Sequence, residues 1–130
     1  MSKPQFDESR WPILFVQWPQ EATSDEIATH FTEMATYVTR RQRFGVVLDA
    51  THGRKMDAGQ RDLVRRRLAE VAVMGKEYLV GVAYVSDSTL VRGALTAIHW
   101  LTPKLFESQV FATKEEGFAW IDAQLHAPGT

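Results

Sequence analysis

The densest run of chemically capable side chains in this 130-residue chain is DATHGRKMDAG, Asp49 to Gly59. Asp49 and Asp57 offer carboxylates, Thr51 a hydroxyl, His52 an imidazole, and Arg54 and Lys55 two cations. Such a set could hold an anion, or use His52 as a base or a ligand. It could equally form a turn in which Asp49 and Thr51 bond local amides while His52 faces water. The run follows the apolar segment FGVVL and leads into a helical pattern, so it falls at the carboxyl end of a strand. Ligands of open α/β sheets gather at such edges. The helix start beside it presents amides and a dipole that favour an anion or an acidic partner group, and Arg54 and Lys55 add to that attraction.

Other constellations carry less. His30 and Glu33 stand at i, i+3, a spacing metals use, but no second pair or further acids accompany them, and surface positions are expected for both. Ser86, Ser88 and the histidines fall at no spacing that assembles a nucleophile, and no HExxH, Walker loop, GxGxxG or GxSxG occurs. The absence of cysteine removes disulfides, thiolate metal sites and cysteine nucleophiles, and fits a reducing compartment. Arg61, Arg65, Arg66 and Arg67, with Arg54 and Lys55 nearby, could face phospholipid headgroups or nucleic acid. Asp62 and Glu70 can balance them along the helix, and no interleaved aromatics could stack bases, so a solvated face is expected and nucleic acid is not. Trp11, Trp18 and Trp120 are expected in the core or at its rim. These residues call for no catalytic group, metal or cofactor.

The composition frames these side chains. Apolar residues make up 45% and charged residues 24%, at a net charge of -1, which is ordinary globular usage with no field to steer the chain toward DNA or an acidic membrane. The length suits one domain with one core. The start, MSKPQFDESRWP, lacks the apolar stretch of a signal peptide, and no apolar run approaches the roughly 20 residues that span a bilayer. A cytoplasmic protein without a transmembrane segment is expected.

Strands and helices alternate. Strands are predicted at Gln5–Asp7, Pro12–Trp18, Phe44–Leu48, Leu79–Val85 and Gln109–Ala112, from short apolar or β-branched runs closed by turn residues. A capping box, Thr23 to Glu26, opens a helix whose apolar face is Ile27, Phe31, Met34, Ala35 and Val38, with Arg40, Arg41 and Arg43 at its negative end. Asp57 caps a second helix that turns Val64, Leu68, Val71 and Ala72 inward and stops at Gly75. Ser86-Asp87-Ser88 caps a third that ends by Pro103, and Thr113 to Glu116 caps a last one that presents Phe118, Ile121 and Leu125. Right-handed crossovers then give one α/β domain over residues 1–130, a mostly parallel sheet of four or five strands with four helices.

The order strand, strand, helix, strand, helix, strand, helix, strand, helix resembles the STAS fold of bacterial anti-sigma-factor antagonists and of SpoIIAA-like, CRAL-TRIO-like domains. VVLDATHGRKMDAG (Val46 to Gly59), SDSTLVRGALTAIHW (Ser86 to Trp100) and VFATKEEGFAWI (Val110 to Ile121) carry the resemblance. The first is similar to the family's strand, Leu-Asp, loop, Met-Asp and helix start. The resemblance implies that a partner kinase phosphorylates the serine after the second Asp. Here that position is Ala58, which has no hydroxyl, so the switch does not carry over. Asp49 after a strand and a Leu also resembles the phosphoacceptor of receiver domains. The acids that hold magnesium there are missing, because the first long strand ends in Gln17-Trp18-Pro19.

The expected function is that of a non-catalytic, STAS-like regulatory or binding protein, meeting a protein partner or small ligand through Asp49, Thr51, His52, Arg54, Lys55, Asp57 and Ala58. A carrier of an apolar ligand such as a lipid is the alternative that the CRAL-TRIO side of the resemblance implies, and an enzyme is third. The third helix adds a second surface. Leu90, Val91, Ala94, Leu95, Ala97, Ile98 and Leu101 cover an arc of roughly 160°, with Arg92, Thr96 and His99 opposite. At its rim Trp100 either folds over the sheet edge onto Phe106 or, with Gly93 and Ala97, joins two copies in a twofold dimer.

Overall fold

The computed structural model describes residues 5–18, 22–50, 57–90, 92–93, 96 and 107–127. Five strands form in them, β1 (Gln5–Asp7), β2 (Ile13–Gln17), β3 (Phe44–Asp49), β4 (Leu79–Val85) and β5 (Ser108–Phe111), and they lie in one sheet in chain order. β1 runs antiparallel to β2, with Phe6 opposite Val16. The rest is parallel, with Leu14 beside Val46, Val46 beside Val82 and Ala83 beside Gln109. The three long apolar runs therefore do become adjacent central strands. β4 has the expected bounds, while β2 is a residue shorter at each end and β3 a residue longer, where Asp49 pairs with Val85.

Alternation along the strands divides the core in two. Leu14, Val16, Phe44, Val46 and Val82 face α1 (Ser24–Val38) and α2 (Ala58–Met74). Ile13, Val47, Ala83 and Val85 face α3 (Lys114–His126) through Ile121. The two crossover helices share a face because each step, β2 to β3 and β3 to β4, moves the same way with the same hand. α3 follows the last strand and returns across the other face. It settles deeply there, because Gly45 leaves room. A Cβ at Gly45 would stand 2.3 Å from Ile121 Cγ2. Trp120 similarly lies over Gly81, 3.1 Å from where a Cβ would be.

One expected helix lies largely outside the described residues, and one expected helix end is corrected. Three helices, not four, are delineated among the described residues. The expected third helix, from Ser86 toward Pro103, falls largely outside them, although the Arg92 amide donates to the Ser88 carbonyl at 2.9 Å, the i, i+4 bond of a helical turn. Arg40, Arg41 and Arg43 do not close α1 either. The helix ends at Val38, and Arg41 adopts the left-handed region with φ 55°. Arg40 instead reaches Glu8 at 2.8 Å while lying over the rings of Trp11 and Tyr37. Arg43 donates to the Leu125 and Gln124 carbonyls at 3.3 and 3.4 Å, so its charge serves the negative end of α3.

Candidate functional site

Each parallel strand delivers its last residue to the same edge, and each helix begins there. Three capping boxes hold those beginnings. At α1, Thr23 Oγ1 accepts from the Glu26 amide at 3.1 Å, and Glu26 Oε1 accepts from the Thr23 amide at 2.9 Å. At α2, Asp57 Oδ1 accepts from the Gln60 amide at 2.8 Å and Gln60 Oε1 accepts from the Asp57 amide at 3.2 Å. The Gln60 side chain also donates to the Ala22 carbonyl at 2.9 Å, tying the starts of α1 and α2 together. Asp57 is thus the N-cap its sequence context predicts.

The other end of the loop is fixed as firmly. The Asp49 carbonyl accepts from the Trp18 amide at 2.8 Å, and the Ala50 amide donates to the Val85 carbonyl at 2.8 Å. Asp49 therefore sits between the ends of β2 and β4. Ala58 is exposed at the first turn of α2, a residue past the cap. Of the seven residues expected at this surface, Asp49, Asp57 and Ala58 are brought to the two ends of one loop. Thr51, His52, Arg54 and Lys55 lie outside the described residues.

Beside Asp49, the end of β4 carries a cluster that the sequence reading assigned only to a helix cap. Ser86 is fully buried; its amide donates to the Phe111 carbonyl at 3.1 Å, and its hydroxyl accepts from the Ser88 amide at 3.1 Å. The Ser86 carbonyl accepts from Arg92 Nη1 at 2.9 Å, and Arg92 Nη2 donates to Thr89 Oγ1 at 3.3 Å. Arg92, expected on a wet face, is half-buried because the carbonyl at the strand end draws its guanidinium in. The spacing of Ser86 and Arg92, six residues apart across a turn, gave no signal of this contact. Tyr84 lies beside Leu48, and burial pushes its phenol well above the usual range.

The remaining sequence candidates separate. His30 is not a surface residue but has 2% of its area exposed, against rings of Phe6, Trp18 and Phe31, while Glu33 is exposed. Position 30 falls on the stripe Ile27, Phe31, Met34, and that periodicity could have placed it inside. Among the described residues no three His, Asp or Glu side chains gather to hold a metal ion. On α2, Arg65 and Arg66 both pair with Asp62, and Arg67 pairs with Glu70, as a solvated face requires. The Arg65 and Arg66 hydrogen bonds hold the Asp62 carboxyl below its ordinary range.

Trp11, Trp18 and Trp120 pack as expected, Trp11 stacking on Phe44 at 5.4 Å with its Nε1 donating to Gln42. At the second surface, Leu90 is 84% exposed, and a Cβ added at exposed Gly93 would meet no atom within 4 Å. Ala97 and Trp100 lie outside the described residues. No helix among those described is long and apolar enough to cross a membrane.

The strand order steps in one direction from β1 to β5, so among the described strands there is no reversal of the kind that opens a ligand crevice in doubly wound sheets. What the edge offers is a surface of loops and helix starts. Compared with known proteins, the chain matches no family model and no curated sequence.

Proposed function

We propose that this chain is a non-catalytic, STAS-like regulatory or binding protein that meets a protein partner or small ligand with its Asp49–Gly59 loop. The observation that carries this reading is the fixing of both loop ends, Asp49 by the neighbouring strand ends and Asp57 by its capping box, at one edge of the sheet. A recognition loop needs such rigid supports, because ordering it on binding would otherwise cost affinity. The helix start at Ala58 adds amides and a dipole favourable to an acidic group. The element order of the described residues, two strands, then helix, strand, helix, strand, strand and helix, supports the STAS-like part of the reading in all but the helix expected between the last two strands. Ala58 supports the rest, because a recognition surface without that hydroxyl works without the phosphorylation switch.

The test uses protein purified from its source and the Arg54→Ala, Lys55→Ala double variant. A partner or ligand held by the wild type and bound at least tenfold more weakly by the variant, with unchanged circular dichroism, supports the proposal. Equal affinity makes the loop a connection only. A native mass spectrum of the same material reads the competing carrier function directly, as adducts of lipid mass.

A further inference from the structure

His30 is a titratable side chain that the loop surface does not use. It projects from α1 into the larger of the two cores, where Phe6 of β1 stacks on it at 5.2 Å with 14° between the planes. Trp18 at 4.8 Å and Phe31 at 4.6 Å meet the ring edge-on and complete an aromatic box. Nδ1 has no hydrogen-bond partner among the described residues.

Among the described residues the charged groups on the elements around it are engaged elsewhere or turned to water. On α1, Glu26 accepts from the Thr23 amide and Glu33 is exposed. On β1, Asp7 accepts from the Ser9 amide at 2.8 Å, and beyond it Glu8 pairs with Arg40. After β2, Trp18 presents only its ring. None of these charges is coupled to the imidazole, and burial alone pushes its pKa down to about 4. A neutral imidazole suits the box, whereas an imidazolium there would be poorly hydrated and would meet no counter-charge among the described residues.

β1 packs against that ring through Phe6. It is three residues long, lies at the sheet edge, and only Phe6 is partly buried. Its Phe6 ring packs on His30 and, at 5.6 Å, on Tyr37.

We propose that His30 is an acid-sensitive latch for β1: when the imidazole takes up a proton it leaves the aromatic box for water, Phe6 loses its stacking partner, and β1 comes off the sheet while β2 to β5 stay paired. Release of β1 opens the outer edge of β2 to pairing with another strand.

Hydrogen exchange at pH 7 and pH 5, corrected for intrinsic rates, tests this. With a folded value of about 4 against an ordinary 6.5, protection of the β1 amides, residues 5–7, should fall roughly 20-fold between the two conditions. Protection of β3 and β4 should not change. His30→Phe keeps an aromatic disc that cannot titrate, and its β1 protection should be equal at both pH values. Glu8→Gln, which removes the nearby carboxylate, should keep the wild-type fall. Equal wild-type protection at pH 7 and 5, or a fall that persists in His30→Phe, overturns the proposal. If His30→Phe does not fold, an NMR titration of the wild-type ring decides: a midpoint near the ordinary 6.5 overturns the latch, and one below about 5, moving together with the β1 amides, upholds it.

Discussion

Asp57 acts before any partner arrives, because its carboxylate takes the Gln60 amide at the start of α2. Asp57→Ala should therefore cost about 1 kcal/mol in urea denaturation, while Asp57→Asn, which keeps a capping oxygen, should cost much less. Equal losses would mean the charge matters more than the cap. His30 makes stability depend on pH. Its folded pKa is lowered to about 4 from 6.5, so the unfolded chain holds more protons between those values. The contribution is fully present above pH 6.5 and is lost as pH falls toward 4, by about 3 kcal/mol in all. Carboxylates titrate in the same window, so the comparison of wild type with His30→Phe isolates the imidazole. A difference between the two that stays constant from pH 7 to 4.5 would contradict it. Asp57 was legible as a cap because capping chemistry is local. The burial of His30 was legible in its place on the Ile27, Phe31, Met34 stripe, although a surface position was expected; its packing among Phe6, Trp18 and Phe31 was not, because that is a tertiary circumstance.

Strands and helix starts follow from short-range rules, and here those rules reach far. The runs at β2, β3 and β4 are apolar on both faces because both faces are covered, and Thr23, Asp57 and Thr113 all cap helices as their neighbours predict. What the sequence hid are contacts between elements, such as Arg43 reaching the end of α3 and Ile121 filling the space above Gly45. That last contact is testable. In Gly45→Ala the new methyl must displace Ile121, which should cost about 1–3 kcal/mol. Ile121→Ala alone should cost about 2–5 kcal/mol through the cavity it leaves. In the Gly45→Ala background the same truncation relieves the clash and should cost at least about 1 kcal/mol less. Additive losses would show that α3 does not rest on Gly45.

In the molecule as a whole, the one-way strand order puts α1 and α2 on one face, α3 on the other, and Asp49 and Asp57 on the edge between strand ends and helix starts. Leu90, 84% exposed, begins the apolar arc of the expected third helix, which leaves the dimer reading of Gly93, Ala97 and Trp100 open to a direct check. On the interface reading, sedimentation at micromolar concentration shows a wild-type dimer that Trp100→Ala dissociates; a wild-type monomer rejects that interface in favour of Trp100 packing on Phe106, and a mutant dimer moves it elsewhere. The central claim is recognition at the carboxyl edge, and site-specific photocrosslinking in source cells tests it most directly. A benzophenone side chain is placed at exposed Ala58, at the start of α2, or at Val73, 59% exposed near the helix's other end. Recognition by the loop predicts a discrete adduct from position 58 and none from position 73. Adducts from position 73 alone, or from neither, would contradict it.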